Sequence, residues 1–347
     1  MAPSTTKQWT VEGKNGFDSL KWDEKAPVPT LGAKDVLVKF HAASLNFRDL
    51  AIPKGKYPFP IKEGVVPGSD GAGVVEAVGA NVTRFKVGDK VATLFNQGHL
   101  AGSLNPAVLS TGLGGSMDGT LREYGTFDEQ GLVNMPKNLN FFEASTLPCA
   151  ALTAWNALYG LKPLQPGQTV LTQGTGGVSI FALQFAKAAG ARVIATTSSS
   201  EKADLLRKLG ADHVINYKEN PNWGEQAQSL SPGGLGVEHV VEVGGPTTLK
   251  ESLKAIKIDG VISIIGFIGG FSKDQPSFLD CLNNICTVRG LLVGSRQQFE
   301  DMNAAIEVND IHPIVDEKIF TLPELKDAYQ YMFDQKHFGK MAIKIAE

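Results

Sequence analysis

TVLTQGTGGVSIFALQFAKAAGARVIATT, residues Thr169 to Thr197, decides the fold. Thr169 to Thr172 is a short β-branched run, and Gly174, Gly176 and Gly177 break it. Val178 to Ala189 is apolar and long enough for a covered helix, Gly190 supplies its stop, and a second strand-like run ends at Thr197. Strand, glycine turn, helix and strand within about 30 residues make one βαβ unit. Glycine after the first strand permits a tight turn. Glycine at the helix start lets backbone N–H groups and the helix dipole approach a pyrophosphate, where a Cβ would collide. Read as G-x-G-x-x-G, the string gives Gly174, Gly176 and Ser179, so a small residue stands where a third glycine usually allows close packing. Gly174, Thr175, Gly176, Gly177 and Val178 are expected to cradle a dinucleotide; an ordinary glycine-rich turn is the alternative.

The rest of the composition narrows the class. The 347 residues allow about two domains, and 42% apolar content is enough for substantial cores. Lys and Arg number 33 against 36 Asp and Glu, a net charge of -3, which gives no electrostatic footprint for nucleic acid or an anionic membrane. No cationic leader with an apolar segment opens the sequence and no membrane-length apolar run interrupts it, so a cytoplasmic protein with small-molecule partners is expected. Cys149, Cys281 and Cys286 are too few and too oddly spaced for a disulfide framework, in keeping with a reducing compartment.

Before about Thr126 the signals are short strands and turns: Asp35 to Ser44, Gly71 to Val78 and Gly88 to Phe95. Asn96 to Gly119 holds six glycines and little periodicity, the mark of a functional or flexible loop. Phe141 to Tyr159 reads as a helix that Pro148 breaks or kinks. After Thr197, βα alternation continues. A helix Ser198 to Leu209 carries a capping-box pattern, Ser198 with Glu201, and strands are expected at His213 to Tyr217, Glu238 to Val243, Val261 to Ile265 and Val288 to Val293. With the first two these make six, and the alternation predicts a doubly wound parallel sheet whose ligand lies at the carboxyl ends of the strands. A helix, a strand-like stretch Ile311 to Phe320, another helix and a terminal strand Met341 to Ile345 follow.

SLNFRDL (Ser44 to Leu50), PGSDGAGVVEAVG (Pro67 to Gly79), FKVGDKV (Phe85 to Val91), TLPCAALTAW (Thr146 to Trp155), GTGGVS and ADHVINY (Ala211 to Tyr217), in that order, resemble the medium-chain dehydrogenase/reductase superfamily over essentially the whole chain. The resemblance is closest to its zinc-independent alcohol-dehydrogenase-like and quinone-oxidoreductase-like branches. It implies an α/β protein, with a GroES-like β-rich catalytic domain at residues 1-148 and 297-347 and a six-stranded Rossmann domain at 149-296. In zinc-dependent members a Cys, a His and a second Cys hold the catalytic metal; here Asn46 and Ser69 stand at the first two positions and only Cys149 remains. One ligand cannot hold zinc, which takes three protein ligands and a water. The loop that carries a structural zinc in those relatives corresponds to Asn96 to Gly119 and contains no cysteine, so no metal is expected. His41, His99 and Asp49 show no ligand spacing. Cys149 has no base placed near it by sequence and reads as a small buried residue.

Dinucleotide sites that prefer NAD place an acid about 20 residues past the glycines. This chain has Thr196 to Ser200 there, all hydroxyls, then Lys202 on the following helix and Tyr217 after the third strand, a set suited to the 2′-phosphate of NADP(H). The alternative is a solvated Lys202 and a strand-end Tyr217. By resemblance, Thr153 and the backbone of Val243, Gly244, Gly266, Phe267, Ile268, Leu292 and Val293 border the nicotinamide. Lys340 stands where relatives put a basic residue on the pyrophosphate, with a solvated lysine as the alternative. Without a metal to polarise a carbonyl, hydride transfer leans on positioning and hydrogen bonds, which favours α,β-unsaturated carbonyls and quinones. Asn46 is the candidate hydrogen-bonding group; Arg48 with Asp49 reads as a structural ion pair, and Asp70 as an acid/base candidate or a structural residue. An alcohol dehydrogenase or ketone reductase with a hydroxyl relay, and a non-catalytic NADPH-binding protein, are the other readings. VRGLLV, Val288 to Val293, closes the sheet as an apolar edge, and the resemblance implies a homodimer there.

Overall fold

The computed structural model describes residues 3–270 and 272–346 and divides into two units: the chain up to Leu152 with the stretch from Gly294 onward, and the intervening Thr153–Val293.

The first unit is built from β1 (Thr5–Val11), β2 (Leu20–Pro27), β3 (Asp35–Ser44), β4 (Asp70–Val78), β5 (Lys90–Thr93), β6 (Tyr124–Asp128) and β7 (Leu132–Asn134). β1 and β2 form an antiparallel ribbon, and β3 is the centre of the larger sheet, with β4, β6 and a C-terminal strand along it. Alternation in β3 turns Val36, Val38 and Phe40 inward, where they pack with Val75, Val91, Phe127 and Leu132. Asn96 to Gly119 folds mostly as turns around one short helix, Pro106–Leu109. The stretch Phe141 to Tyr159 is helical in three pieces: Phe141–Ser145, a wide i→i+5 turn over Leu147–Ala151 that accommodates Pro148, and Leu152–Tyr159.

The second unit holds β8 (Thr169–Gln173), β9 (Arg192–Thr197), β10 (His213–Asn216), β11 (Val237–Glu242), β12 (Ile256–Ile264) and β13 (Thr287–Gly290). All six are parallel, in the spatial order β10-β9-β8-β11-β12-β13. This is the doubly wound order, and it reverses between β8 and β11, the point where such sheets open a crevice for a ligand. Leu171, Ile194, Ile215, Val240 and Ile262 form its core with Trp223. Residues after Gly294 return to the first unit: β14 (Phe320–Thr321) pairs with β15 (Ala342–Lys344), which joins β3. Tyr329, Phe320 and Leu325 bury themselves there against Trp9 and Leu20.

Local details correct four expectations. The helix after β9 starts at Ser200, because Ser199, not Ser198, is its cap, accepting the Lys202 N–H at 3.2 Å. Lys202 is therefore the third helical residue and Glu201 lies outside the cap, exposed on the first turn. The last strand ends at Gly290, and Val293 has φ 50°, in the left-handed region, so Leu292 and Val293 lie beyond the strand. β12 begins at Ile256, five residues before the expected Val261, and reaches its parallel register past a left-handed Asp259. The expected stretch Ile311 to Phe320 contributes only its last residue to β14. Among the described residues no helix is long and apolar enough to cross a membrane.

Candidate functional site

In the second unit the turn after β8 is set by Gly174, whose φ of 72° suits glycine and whose N–H donates to Thr196 O at 2.9 Å. Gly176 is more informative. It caps helix Gly177–Ala188 with φ −75° and ψ 165°, a conformation any residue adopts, and a Cβ built on it meets nothing within 4 Å. Neither backbone strain nor packing within the chain asks for glycine there. The space lies at the start of a 12-residue helix, whose first-turn N–H groups have no acceptor within the helix. Ser179, in the third position of the motif, is buried and donates to Gln173 O at 2.6 Å, which ties the helix to the strand where a glycine would only pack. These residues fit a pyrophosphate.

Beside this turn lies a buried carboxylate that sequence reasoning missed. Glu242, at the end of β11 and fully buried, accepts the N–H groups of Gly244 and Gly245 at 2.9 Å each, the Thr248 hydroxyl at 2.5 Å, Gln173 Nε2 at 2.7 Å and the Ser252 hydroxyl. Gln173 Oε1 in turn accepts Val243 N–H at 3.1 Å and Gly244 N–H at 3.2 Å. Ile268 N–H and Gly269 N–H donate to Val243 O and Gly244 O. The candidate backbone at Val243, Gly244 and Gly266 to Ile268 is thus one interlocked pair of turns at the carboxyl ends of β11 and β12. Phe267 and Ile268 are exposed on it. Gln173, closing the run Thr169 to Thr172 directly before the glycine turn, was the available signal. Thr153 is buried, and Val293 O is held by Asn156 Nδ2 at 2.6 Å.

At the end of β9 the register pairs Asn216 with Thr197, and Tyr217 N–H donates to Thr197 O at 3.0 Å. That rung brings Tyr217, 41% exposed, alongside Ser198. Lys202 is half-buried one turn into the next helix.

The first unit gathers a second polar cluster. Asn46, 9% exposed, precedes the short helix Phe47–Ala51, and its N–H donates to Asp49 Oδ2 at 2.8 Å. Its side-chain oxygen accepts from Lys340 Nζ at 2.7 Å, while its Nδ2 is buried with no acceptor. Lys340 is 4% exposed, which rules out the solvated reading; it also donates to Leu45 O at 2.6 Å and Asp70 Oδ2 at 3.4 Å. An ammonium has three protons and here three acceptors, so a pyrophosphate contact from Lys340 would require one of these bonds to break. Fully buried Asp70 accepts from Ser69 Oγ at 2.6 Å and Ser44 Oγ at 3.1 Å. Arg48 lies 3.7 Å from Asp49, donates to Leu113 O at 2.6 Å and stacks over Phe95 at 4.3 Å. Burial raises the Asp49 carboxyl above its usual range against the pull of Arg48. Tyr57, not singled out from sequence, lies beside Arg48 with its phenol raised, mainly by burial. Cys149 is within electrostatic reach of Asp70, Lys340 and Arg48, and burial pushes its thiol up to about 12.

The donor set at the positions of Asn46, Ser69 and Cys149 can be compared with what zinc takes. A zinc site takes deprotonated thiolates, imidazoles or carboxylates around one point. Here the three positions offer one thiol, Cys149, with an amide oxygen already facing an ammonium and a hydroxyl donating to a carboxylate, and among the described residues no three His, Cys, Asp or Glu side chains gather to hold a metal.

Two family models match the chain, the alcohol dehydrogenase GroES-like domain over residues 32–137 and the zinc-binding dehydrogenase over residues 177–308. A zinc-type alcohol dehydrogenase-like protein of Schizosaccharomyces pombe is 48% identical over 336 residues, 95% of this chain and 96% of that protein. The chloroplastic NADPH-dependent alkenal/one oxidoreductase of Arabidopsis thaliana is 30% identical, covering 98% of this chain and 80% of that protein. A solved NAD-dependent alcohol dehydrogenase superposes with a TM-score of 0.88 at 31% identity, over 98% of this chain and 100% of that one. With a GroES-like domain, a six-stranded parallel sheet and a glycine turn open to a dinucleotide, the chain belongs to the medium-chain dehydrogenase/reductase superfamily of pyridine-nucleotide-dependent oxidoreductases.

Proposed function

We propose that the protein is a metal-independent, NADPH-dependent reductase of electron-poor acceptors, α,β-unsaturated carbonyls or quinones. The observation that carries this reading is the side chain of Asn46: its oxygen faces an ammonium, its Nδ2 is a buried donor without an acceptor, and no metal-ligating set is found among the described residues. A buried donor without a partner costs about 1–3 kcal/mol, so a group retained in that state is suited to an oxygen brought by a substrate. The bound nicotinamide supplies a hydride. Asn46 Nδ2 donates to the acceptor oxygen as that oxygen gains charge, which suffices for an enolate or hydroquinone anion whose charge is delocalised. Ser198, Lys202 and Tyr217 hold the 2′-phosphate, and Gly174 to Val178 hold the pyrophosphate against the helix N-terminus. Thr153, the Val243–Gly244 and Gly266–Ile268 turns and the Leu292–Val293 backbone border the nicotinamide.

The zinc-type alcohol dehydrogenase-like relative of Schizosaccharomyces pombe favours a second reading, reversible alcohol and ketone interconversion. Monitoring NADPH consumption against enones, quinones, aldehydes and ketones separates the two: enones or quinones as the fastest acceptors support the proposal, and simple ketones alone would replace it.

The same reading includes a cytoplasmic homodimer. β13 is a sheet edge, and Phe278 and Leu282 beside it are 85% and 71% exposed. Two copies pairing at that edge would cover both features. Light scattering at micromolar concentration should give twice the chain mass, and a monomer contradicts it.

A further inference from the structure

We infer that Lys340 is the resident cation of the Asn46 cluster and the positioning residue that aims the Asn46 amide, not a ligand of the cofactor's phosphates. This rests on the proposed role of Asn46 as the donor to the reacting oxygen.

The strand ladder builds the arrangement. Ala342 pairs with Ser44, and Ser44 pairs with Asp70, so one rung of the β15–β3–β4 sheet aligns the three. Lys340 leads into β15 and Leu45 and Asn46 follow β3, so the antiparallel pairing brings them together, with Leu45 N–H donating to Met341 O at 3.1 Å. The backbone of Lys340 is clamped: its N–H donates to Ile314 O at 3.0 Å and its carbonyl accepts Asp316 N–H at 2.8 Å. Gly339 makes the approach possible. Its φ is 70°, and a Cβ there would lie 2.3 Å from Ile314 O.

From this clamp the side chain reaches Leu45 O, Asn46 Oδ1 and Asp70 Oδ2. Because an ammonium only donates, it fixes which end of the amide faces it: the oxygen points to Lys340 and the NH2 points away. A bond from a cation to the amide oxygen also strengthens the NH2 protons as donors, since linked hydrogen bonds polarise one another in a low-dielectric site. Asp70 supplies the counter-charge and is itself fixed by Ser44 and Ser69. The cluster thus keeps a positive charge beside the group that meets the substrate, held by the Leu45 carbonyl and the side chains of Asn46 and Asp70.

The test compares Lys340→Met, Asn46→Ala and the double variant. A further pair, Lys340→Met with Asp70→Asn, removes both buried charges in case the lone Asp70 carboxylate unfolds the protein. NADPH binding is followed by fluorescence, and turnover with 2-cyclohexen-1-one. Lys340→Met should bind NADPH about as the parent does, losing less than the roughly tenfold expected from one lost charge-assisted phosphate contact. Its kcat should fall about 100-fold, as in Asn46→Ala, with no further fall in the double variant. The charge-neutral pair should match Lys340→Met. Loss of NADPH affinity with kcat retained would make Lys340 a phosphate ligand and overturn the inference, and so would losses that multiply in the double variant. Full kcat in Asn46→Ala would overturn the donor role of Asn46 and the inference with it, an outcome distinct from the other two. With a parent inactive on this probe, the NADPH affinity of Lys340→Met decides alone.

Discussion

Lys340 and Asn46 meet across 294 positions of sequence, the ammonium donating to the side-chain oxygen of Asn46 at 2.7 Å. Asn46→Asp isolates what this contact leaves on the other side of the residue. The carboxylate still pairs with Lys340, so the fold should be retained, but the NH2 donor is gone. The expected result is a fall in kcat of about 100 to 1000-fold with NADPH affinity unchanged. An Asn46→Asp enzyme with parental kcat would remove Asn46 from the chemistry.

Cofactor choice is expected to rest on Lys202 and Tyr217. A hydrogen bond to a charged group is worth roughly 1.5 to 3 kcal/mol, so Lys202→Ala should weaken NADPH by about 10 to 150-fold and leave NADH nearly unaffected. Tyr217→Phe removes one neutral donor and should cost less. Dissociation constants for both cofactors, at fixed ionic strength because Tyr217 is exposed, check this. Equal losses for NADH and NADPH, or a parent that binds NADH more tightly, would place the phosphate elsewhere; exposed Glu201 on the same turn would then be the first residue to vary.

Acid sensitivity should centre on His239. It is 1% exposed in β11, both ring nitrogens lack partners, and burial, with Lys162 and Arg289 adding to it, lowers its pKa from 6.5 to about 4. Above pH 6.5 the ring is neutral whether folded or unfolded and adds nothing. Below pH 6.5 the unfolded chain takes up a proton that the folded chain refuses until about pH 4, so stability falls across that window, by up to about 3 kcal/mol. His239→Leu should flatten the decline. Melting temperatures at pH 7 and pH 5 measure it, and an unchanged decline in the variant would assign the acid sensitivity to other groups.

Much of the fold was legible because its signals are local. β-branched runs, glycine stops and βα alternation located six strands, and apolar length with a glycine stop located the helix after the first of them. Errors fell where one residue decides. Ser198 and Ser199 are equally good caps by type, and it is the Ser199 hydroxyl, set on an extended backbone, that accepts the Lys202 N–H. Leu292 and Val293 look like strand residues, yet the chain leaves the sheet at Gly290 and Val293 turns left-handed.

The polar cluster of the first unit could be named residue by residue from the sequence, but its arrangement could not. Asn46, Asp70 and Lys340 each stood out, but no pattern in a sequence pairs residues hundreds of positions apart, and the Lys340 contact to Asn46 follows from the β15–β3 pairing. Glu242 and Gln173 were passed over for a related reason: a carboxylate closing a strand that already holds Glu238 and His239 reads as an ordinary strand end until five donors are seen converging on it.

The most direct measurement is NADPH consumption with an enone or a quinone by protein dialysed against a strong chelator, with bound zinc determined by elemental analysis on the same sample. Undiminished turnover at far less than one zinc per chain, faster with NADPH than with NADH, is the predicted result. One zinc bound per chain, with activity lost on its removal and restored by its return, would contradict the metal-independent reading of the Asn46, Ser69 and Cys149 positions.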